Sequence, residues 1–179
     1  MENAKKEKSN ISFKTRTLVS SALFAALICL TTAYFLRIPV GGNGGFMHVG
    51  DTFIYLAAVL LPTPYAAFAA AIGAGFADIL SGAAHWVWAT IIIKPILVLF
   101  FTNKSEKIIN TRNVLAGIIA GIVGTVLYMI ADGIMMGNIL AGFIMTLVGL
   151  VQPVGSFILF ITIGVVFDKL KIKEIIKNK

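Results

Sequence analysis

Six apolar stretches divide this chain, at residues 18–36, 48–61, 65–80, 86–101, 114–136 and 143–167. The hydrocarbon core of a bilayer, about 30 Å thick, is crossed by roughly 20 apolar residues in a helix, fewer where neighbouring protein shields the segment. The pattern therefore predicts an all-α membrane protein, a six-transmembrane-helix bundle forming a single integral membrane domain over 1–179. The second stretch is short for a full crossing, which a tilted or partly shielded helix accommodates. Polar groups are concentrated between Arg37 and Lys94. An ionisable side chain at membrane depth is costly enough to be a functional candidate by default.

Composition fixes the class. Of 179 residues, 58% are hydrophobic and 13% charged, with a mean hydropathy of +0.93, far from the balance of soluble domains. The polar, basic start leads into a long apolar run without a convincing small-residue cleavage site, so the first helix is expected to be uncleaved. Cys29, the single cysteine, lies within that helix and reads as a small buried thiol.

Lys5, Lys6, Lys8, Lys14 and Arg16 precede the first stretch; Lys104, Lys107 and Arg112 follow the fourth; Lys169, Lys171, Lys173, Lys177 and Lys179 follow the last. The loops at 37–47, 82–85 and 137–142 contain Arg37 as their only Lys or Arg. The positive-inside rule then makes both termini cytoplasmic, with a basic segment at 1–16, a basic tail at 168–179 and a multi-pass path through the cell membrane. The net charge of +7 is explained by topology and anionic lipid head groups, and no aromatic-interleaved basic patch suggests nucleic acid.

In that orientation Asp51, Asp78, Lys94 and Asp132, from four helices, collect in the outer half of the membrane, where opposite charges offset the cost of burial. They read either as a binding site or as a structural ion pair, such as Lys94 with Asp78 or Asp132. His48, Trp86 and Trp88 fit as stacking or hydrogen-bonding groups for a flat ring, or, for the two Trp, as an interfacial belt. Gly41, Gly42, Asn43, Gly44 and Gly45 form either a mobile flap over the outer mouth or a plain turn.

Other chemistries find no support in the chain. No G-x-x-x-x-G-K-[ST] loop occurs, and Gly73-Ala74-Gly75 lies in an apolar helix without the strand that a dinucleotide fingerprint needs. His48 and His85 lack zinc spacing, and neither Ser81 nor Ser156 sits in a nucleophile elbow. The reading is a non-enzyme with no cofactor and no metal.

Small residues mark helix-contact faces. Ala22 and Ala26 stand one turn apart in Ser21-Ala22-Leu23-Phe24-Ala25-Ala26, as do Gly117, Gly121 and Gly124 in the fifth stretch. Packing within the bundle suits the glycines, and a partner protein suits the alanines. With these strips, the glycine-rich loop, His48-Val49-Gly50-Asp51, Gly73-Ala74-Gly75-Phe76-Ala77-Asp78 and Ile92-Ile93-Lys94-Pro95, the chain resembles the substrate-binding S components of energy-coupling factor (ECF) transporters. The resemblance is strong from His48 to Pro95 and weak in the last two helices.

It implies a subunit that captures a small water-soluble heterocycle at the outer face under the first loop. Partners would be a transmembrane coupling protein, contacted through Ala22 and Ala26, and two ECF ATPases. Carried over, it implies ligand contacts from His48, Asp51, Asp78, Trp86, Trp88 and Lys94, with Tyr128, Asp132, Asn138 and Gln152 from the later helices. The implied cargo is a queuosine precursor of 7-deazaguanine type, pyridoxine or a hydroxymethylpyrimidine thiamine precursor, with the first preferred. The alternative is a ligand-free channel or structural membrane subunit whose charges pair across helices.

Overall fold

A computed structural model describes residues 2–35, 38–40 and 45–177; within these, residues 2–13, 39, 40, 45, 46, 145–149 and 177 are described in backbone only. Eight α-helices are described: α1 (Glu2–Ala33), α2 (Asp51–Leu60), α3 (Thr63–Leu80), α4 (Val87–Val98), α5 (Thr111–Met135), α6 (Ile139–Gly149), α7 (Val151–Lys169) and α8 (Ile172–Lys177). A 3-10 turn, Ala84–Trp86, leads into α4. Two three-residue strands, β1 (Ile38–Val40) and β2 (Gly45–Met47), pair antiparallel with Ile38 opposite Met47 and Val40 opposite Gly45.

That hairpin is a short addition to a bundle that is otherwise helical, as expected. Extended residues on either side of a glycine-rich connection close as a ladder, which supplies backbone partners that a plain loop would lack. Gly41, Gly42, Asn43 and Gly44 lie outside the described residues, so the expected flap is represented here only by its flanking strands and Gly45.

Helix ends follow local chemistry. Residues 2–33 contain neither Gly nor Pro, so α1 starts far ahead of the expected residue 18 and carries the basic segment as helix. Leu61 is extended (ψ 157°) before Pro62, and α3 begins with a proline in its first two positions, where no backbone N–H is needed. Asn110 caps α5, its side chain accepting the Asn113 backbone N–H at 3.0 Å. At the far end of α5, Gly137 takes φ +61° and the Asn138 N–H reaches back to the Gly133 carbonyl at 3.0 Å, a Schellman-type stop.

The sixth expected span, 143–167, needs correction. It is two helices, α6 and α7, parted at Leu150. The apolar run hides the break, but Gly149 precedes it and Pro153 falls in the first turn of α7, where its missing donor costs nothing. α6 folds back on α5 and also touches β1 and α7.

Contacts between helices fix their directions. Ser21 donates to the Tyr65 carbonyl, and Gly73 sits against Ala25 and Ile28, so α1 and α3 run parallel. Thr90 meets Tyr128 and Leu97 meets Gly124, so α4 and α5 run antiparallel. Thr52 bonds to the Ser156 carbonyl and Tyr55 packs on Phe160, so α2 and α7 run parallel. Four helical segments are long and apolar enough to cross a membrane: Lys14–Ala33, Thr63–Leu80, Thr111–Met135 and Val151–Lys169. α2 and the 84–98 segment are shorter, so six crossings depend on these two shielded helices.

The two ends of the bundle are held differently. At the basic end, the Asp168 carboxylate accepts the backbone N–H groups of Ile108 and Ile109 at 2.7 and 2.9 Å. Asn113 is fully buried and both accepts from and donates to the backbone of the same loop, through Thr102 and Ile108. Lys173 of α8 donates to the Asn103 and Ser105 carbonyls. Across the middle, the rings of Tyr55, Phe101 and Phe160 form a cluster with centroids 5.0 to 5.8 Å apart. The polar residues of interest lie beyond those rings, towards the other end.

Candidate functional site

Trp86, Thr90 and Lys94 are spaced by four residues, so they stand above one another on one face where the 3-10 turn runs into α4. All three are buried, while Trp88, on the opposite side, is 43% exposed. That face looks across to α2, α3 and α5, which pack on α4. Pro95, next to Lys94, lies inside the helix and removes a donor from its ladder.

Lys94 Nζ lies 2.6 Å from Asp51 Oδ1, with both side chains almost wholly buried. Gln152 at the start of α7 donates to the other oxygen, Asp51 Oδ2, at 3.1 Å. Asp51 is the first residue of α2, where a carboxylate is favoured by the helix dipole. The ammonium also stands 4.9 Å from the Tyr128 ring centroid, a cation–π arrangement that is strengthened by desolvation. The ion pair expected for Lys94 with Asp78 or Asp132 is thus made with Asp51 instead, because α2 delivers its first residue beside the mid-face of α4.

A second group adjoins the first. Thr90 Oγ1 lies 3.2 Å from the Tyr128 hydroxyl. The Trp86 ring meets Tyr128 with centroids 5.8 Å apart at 56°. Backbone bonds tie the two ends together: the Ala83 N–H donates to the Asp78 carbonyl at 2.8 Å and the Trp86 N–H to the Ala83 carbonyl at 2.9 Å. Asp78 Oδ2 and Trp86 Nε1 are nonetheless buried without a hydrogen-bond partner among the described residues, as are Thr32 Oγ1 and Ser156 Oγ. A buried polar atom left so costs about 1–3 kcal/mol, so each needs a reason.

The remaining expected residues fall around this centre or away from it. His48 is buried just before α2, its Nδ1 accepting the Gly50 N–H at 3.0 Å. Asp132 is buried one turn beyond Tyr128 on α5. Asn138 is exposed, and its side-chain oxygen caps α6 by accepting from Leu140 and Ala141, which leaves it outside the cluster. Ala22 and Ala26 are exposed on α1, on the side away from the Ser21–Ala25–Ile28 edge that packs on α3.

Thr90 is the site residue that sequence reasoning missed. Its signal was the four-residue spacing between Trp86 and Lys94, which puts residue 90 on the same face. Thr52 was missed too: its side chain spends its bond on tying α2 to α7. Among the described residues no group of three or more His, Cys, Asp or Glu is placed to hold a metal ion. What the cluster offers is two aromatic faces, an ammonium, two carboxylates and an amide from five helical segments.

A family model described as "ECF-type riboflavin transporter, S component" matches residues 12–172. A curated relative from Pyrococcus woesei, described as an uncharacterized protein in gap 3′ region, is 30% identical over 90 residues, which is 50% of this chain and 60% of that relative. The chain thus aligns with less than two thirds of that relative's length. No solved structure matches significantly. Since the family match spans most of the chain and every residue of the buried cluster, and the helices include several of membrane-crossing length, this multi-pass membrane protein belongs to the family of ECF-type transporter S components.

Proposed function

We propose that this chain captures a small, flat, water-soluble heterocycle at the outer face of the cell membrane and passes it inward when joined to an ECF coupling protein and two ATPases. The observation that carries the reading is the buried Asp51–Lys94–Gln152 network lying against the Tyr128 ring. Three helices converge there on groups that recognise polar ring substituents, beside an aromatic face suited to stacking. Basic residues at the opposite end support cytoplasmic termini and an outward-facing site.

The family's description names riboflavin, a flat ring system with a polar edge. Riboflavin therefore joins the 7-deazaguanine, pyridoxine and hydroxymethylpyrimidine rings as a candidate cargo. Ala22 and Ala26, exposed on α1, are the face offered to the coupling protein, since small residues let another helix approach closely. The 38–47 hairpin and its glycine connection act as the flap over the ligand, with Gly45 at the foot of β2.

The test is mass spectrometry of small molecules released from the chain purified alone. A co-purifying heterocycle that rebinds and raises the melting temperature is the expected result. A protein that releases no small molecule, and that none of these four classes of ring stabilises, contradicts the reading.

A further inference from the structure

Asp78 Oδ2 and Trp86 Nε1 are the two partnerless polar atoms of the Tyr128 group, and they have opposite hydrogen-bonding sense. A carboxylate oxygen only accepts, and an indole N–H only donates. Both residues are more than nine-tenths buried, at 6% and 7% exposure. Their backbones are joined through Ala83, and the Trp86 ring meets that of Tyr128, whose hydroxyl lies 3.2 Å from Thr90 Oγ1. A bundle that needed only stability would place apolar groups here, since replacing unsatisfied buried atoms by apolar ones is neutral or favourable.

We propose that Asp78 and Trp86 read one edge of the ligand, and that this edge carries a ring N–H beside a carbonyl acceptor: a lactam or imide. This rests on the binding-subunit reading above and narrows it to a substrate class. The ring N–H donates to Asp78 Oδ2, and the neighbouring acceptor receives the Trp86 Nε1 proton. Lys94, Asp51 and Gln152 are left for substituents elsewhere on the ring. A ring whose polar groups are only hydroxyls and a pyridine nitrogen, as in pyridoxine, presents no such N–H.

The experiment uses the full chain in lipid nanodiscs and compares riboflavin with N3-methylriboflavin, 7-deazaguanine with its N1-methyl derivative, and pyridoxine, by equilibrium titration. The expected result is that at least one N–H ring binds and that its methylation weakens binding at least tenfold. In Asp78→Leu the methylated and unmethylated rings should bind equally. Trp86→Phe, which keeps an aromatic ring and loses the N–H, should weaken the N–H ring severalfold while the penalty for methylation persists. It also serves as the readout if Asp78→Leu does not fold.

Methylation without effect would mean that a trapped water or nothing satisfies these atoms, and overturns the proposal. So does a methylation penalty unchanged in Asp78→Leu. Pyridoxine binding without binding of any N–H ring overturns the edge assignment and leaves the binding-subunit reading standing. Binding of none of the five probes overturns the edge assignment, and if hydroxymethylpyrimidine also fails to bind, the binding-subunit reading falls with it.

Discussion

Lys94 and Asp51 show why single substitutions inside such a bundle need care. Removing one partner leaves a buried charge alone, a cost of about 3–5 kcal/mol, whereas removing both charges together is often tolerated. Asp51→Ala is therefore expected to lower the melting temperature sharply. The paired change Asp51→Asn with Lys94→Met should stay folded and lose ligand binding, as read by titration of the purified protein. Asp78→Leu has the opposite balance. It removes an acceptor without a partner, so the ligand-free protein should melt no lower than the parent while ligand binding falls at least tenfold. A markedly lower melting temperature would mean that Asp78 is structural.

At the scale of elements, the close pairing of α1 and α3 depends on Gly73, where an added Cβ would stand 2.5 Å from the Ala25 carbonyl oxygen. Gly73→Val is expected to cost about 1–3 kcal/mol by overpacking, measured as a loss of thermal stability without a change in ligand selectivity. Much at this scale was legible in the chain: α3, α4 and α5 fall close to their apolar runs, with α3 started by proline and α5 by an asparagine cap. The α6–α7 break was not, since Gly149 and Pro153 sit within unbroken apolar sequence and hydropathy carries no mark of a turn. Nor was the 38–47 hairpin, whose strands of three residues are too short for periodicity to register. At the site, Asp51 and Lys94 were readable from their cost in a membrane and Trp86 as a ring suited to stacking. The partner of Lys94 was not, because helix spacing says which face a residue occupies and not which of three carboxylates stands opposite.

For the whole molecule, the proposed function would divide the surface between two tasks: the cluster near Tyr128 would hold cargo, and the exposed small-residue strip of α1 would meet the coupling protein. Replacing Ala22 and Ala26 together by Trp should leave ligand affinity within about twofold of the parent and prevent co-purification with the coupling protein and ATPases; undiminished assembly would remove α1 from that role. The basic end, where Asp168, Asn113 and Lys173 secure the 102–110 loop, lies beyond the aromatic cluster from the cargo site and is expected to be indifferent to ligand. The most direct measurement of the central claim is a thermal-shift titration of the chain alone, without any coupling protein, against riboflavin, 7-deazaguanine, pyridoxine and hydroxymethylpyrimidine, alongside the Asp51→Asn, Lys94→Met protein. A saturable rise in melting temperature with one ring, absent from the paired variant, is the result this account predicts. A rise of equal size in both proteins, or no rise with any ring, would contradict it.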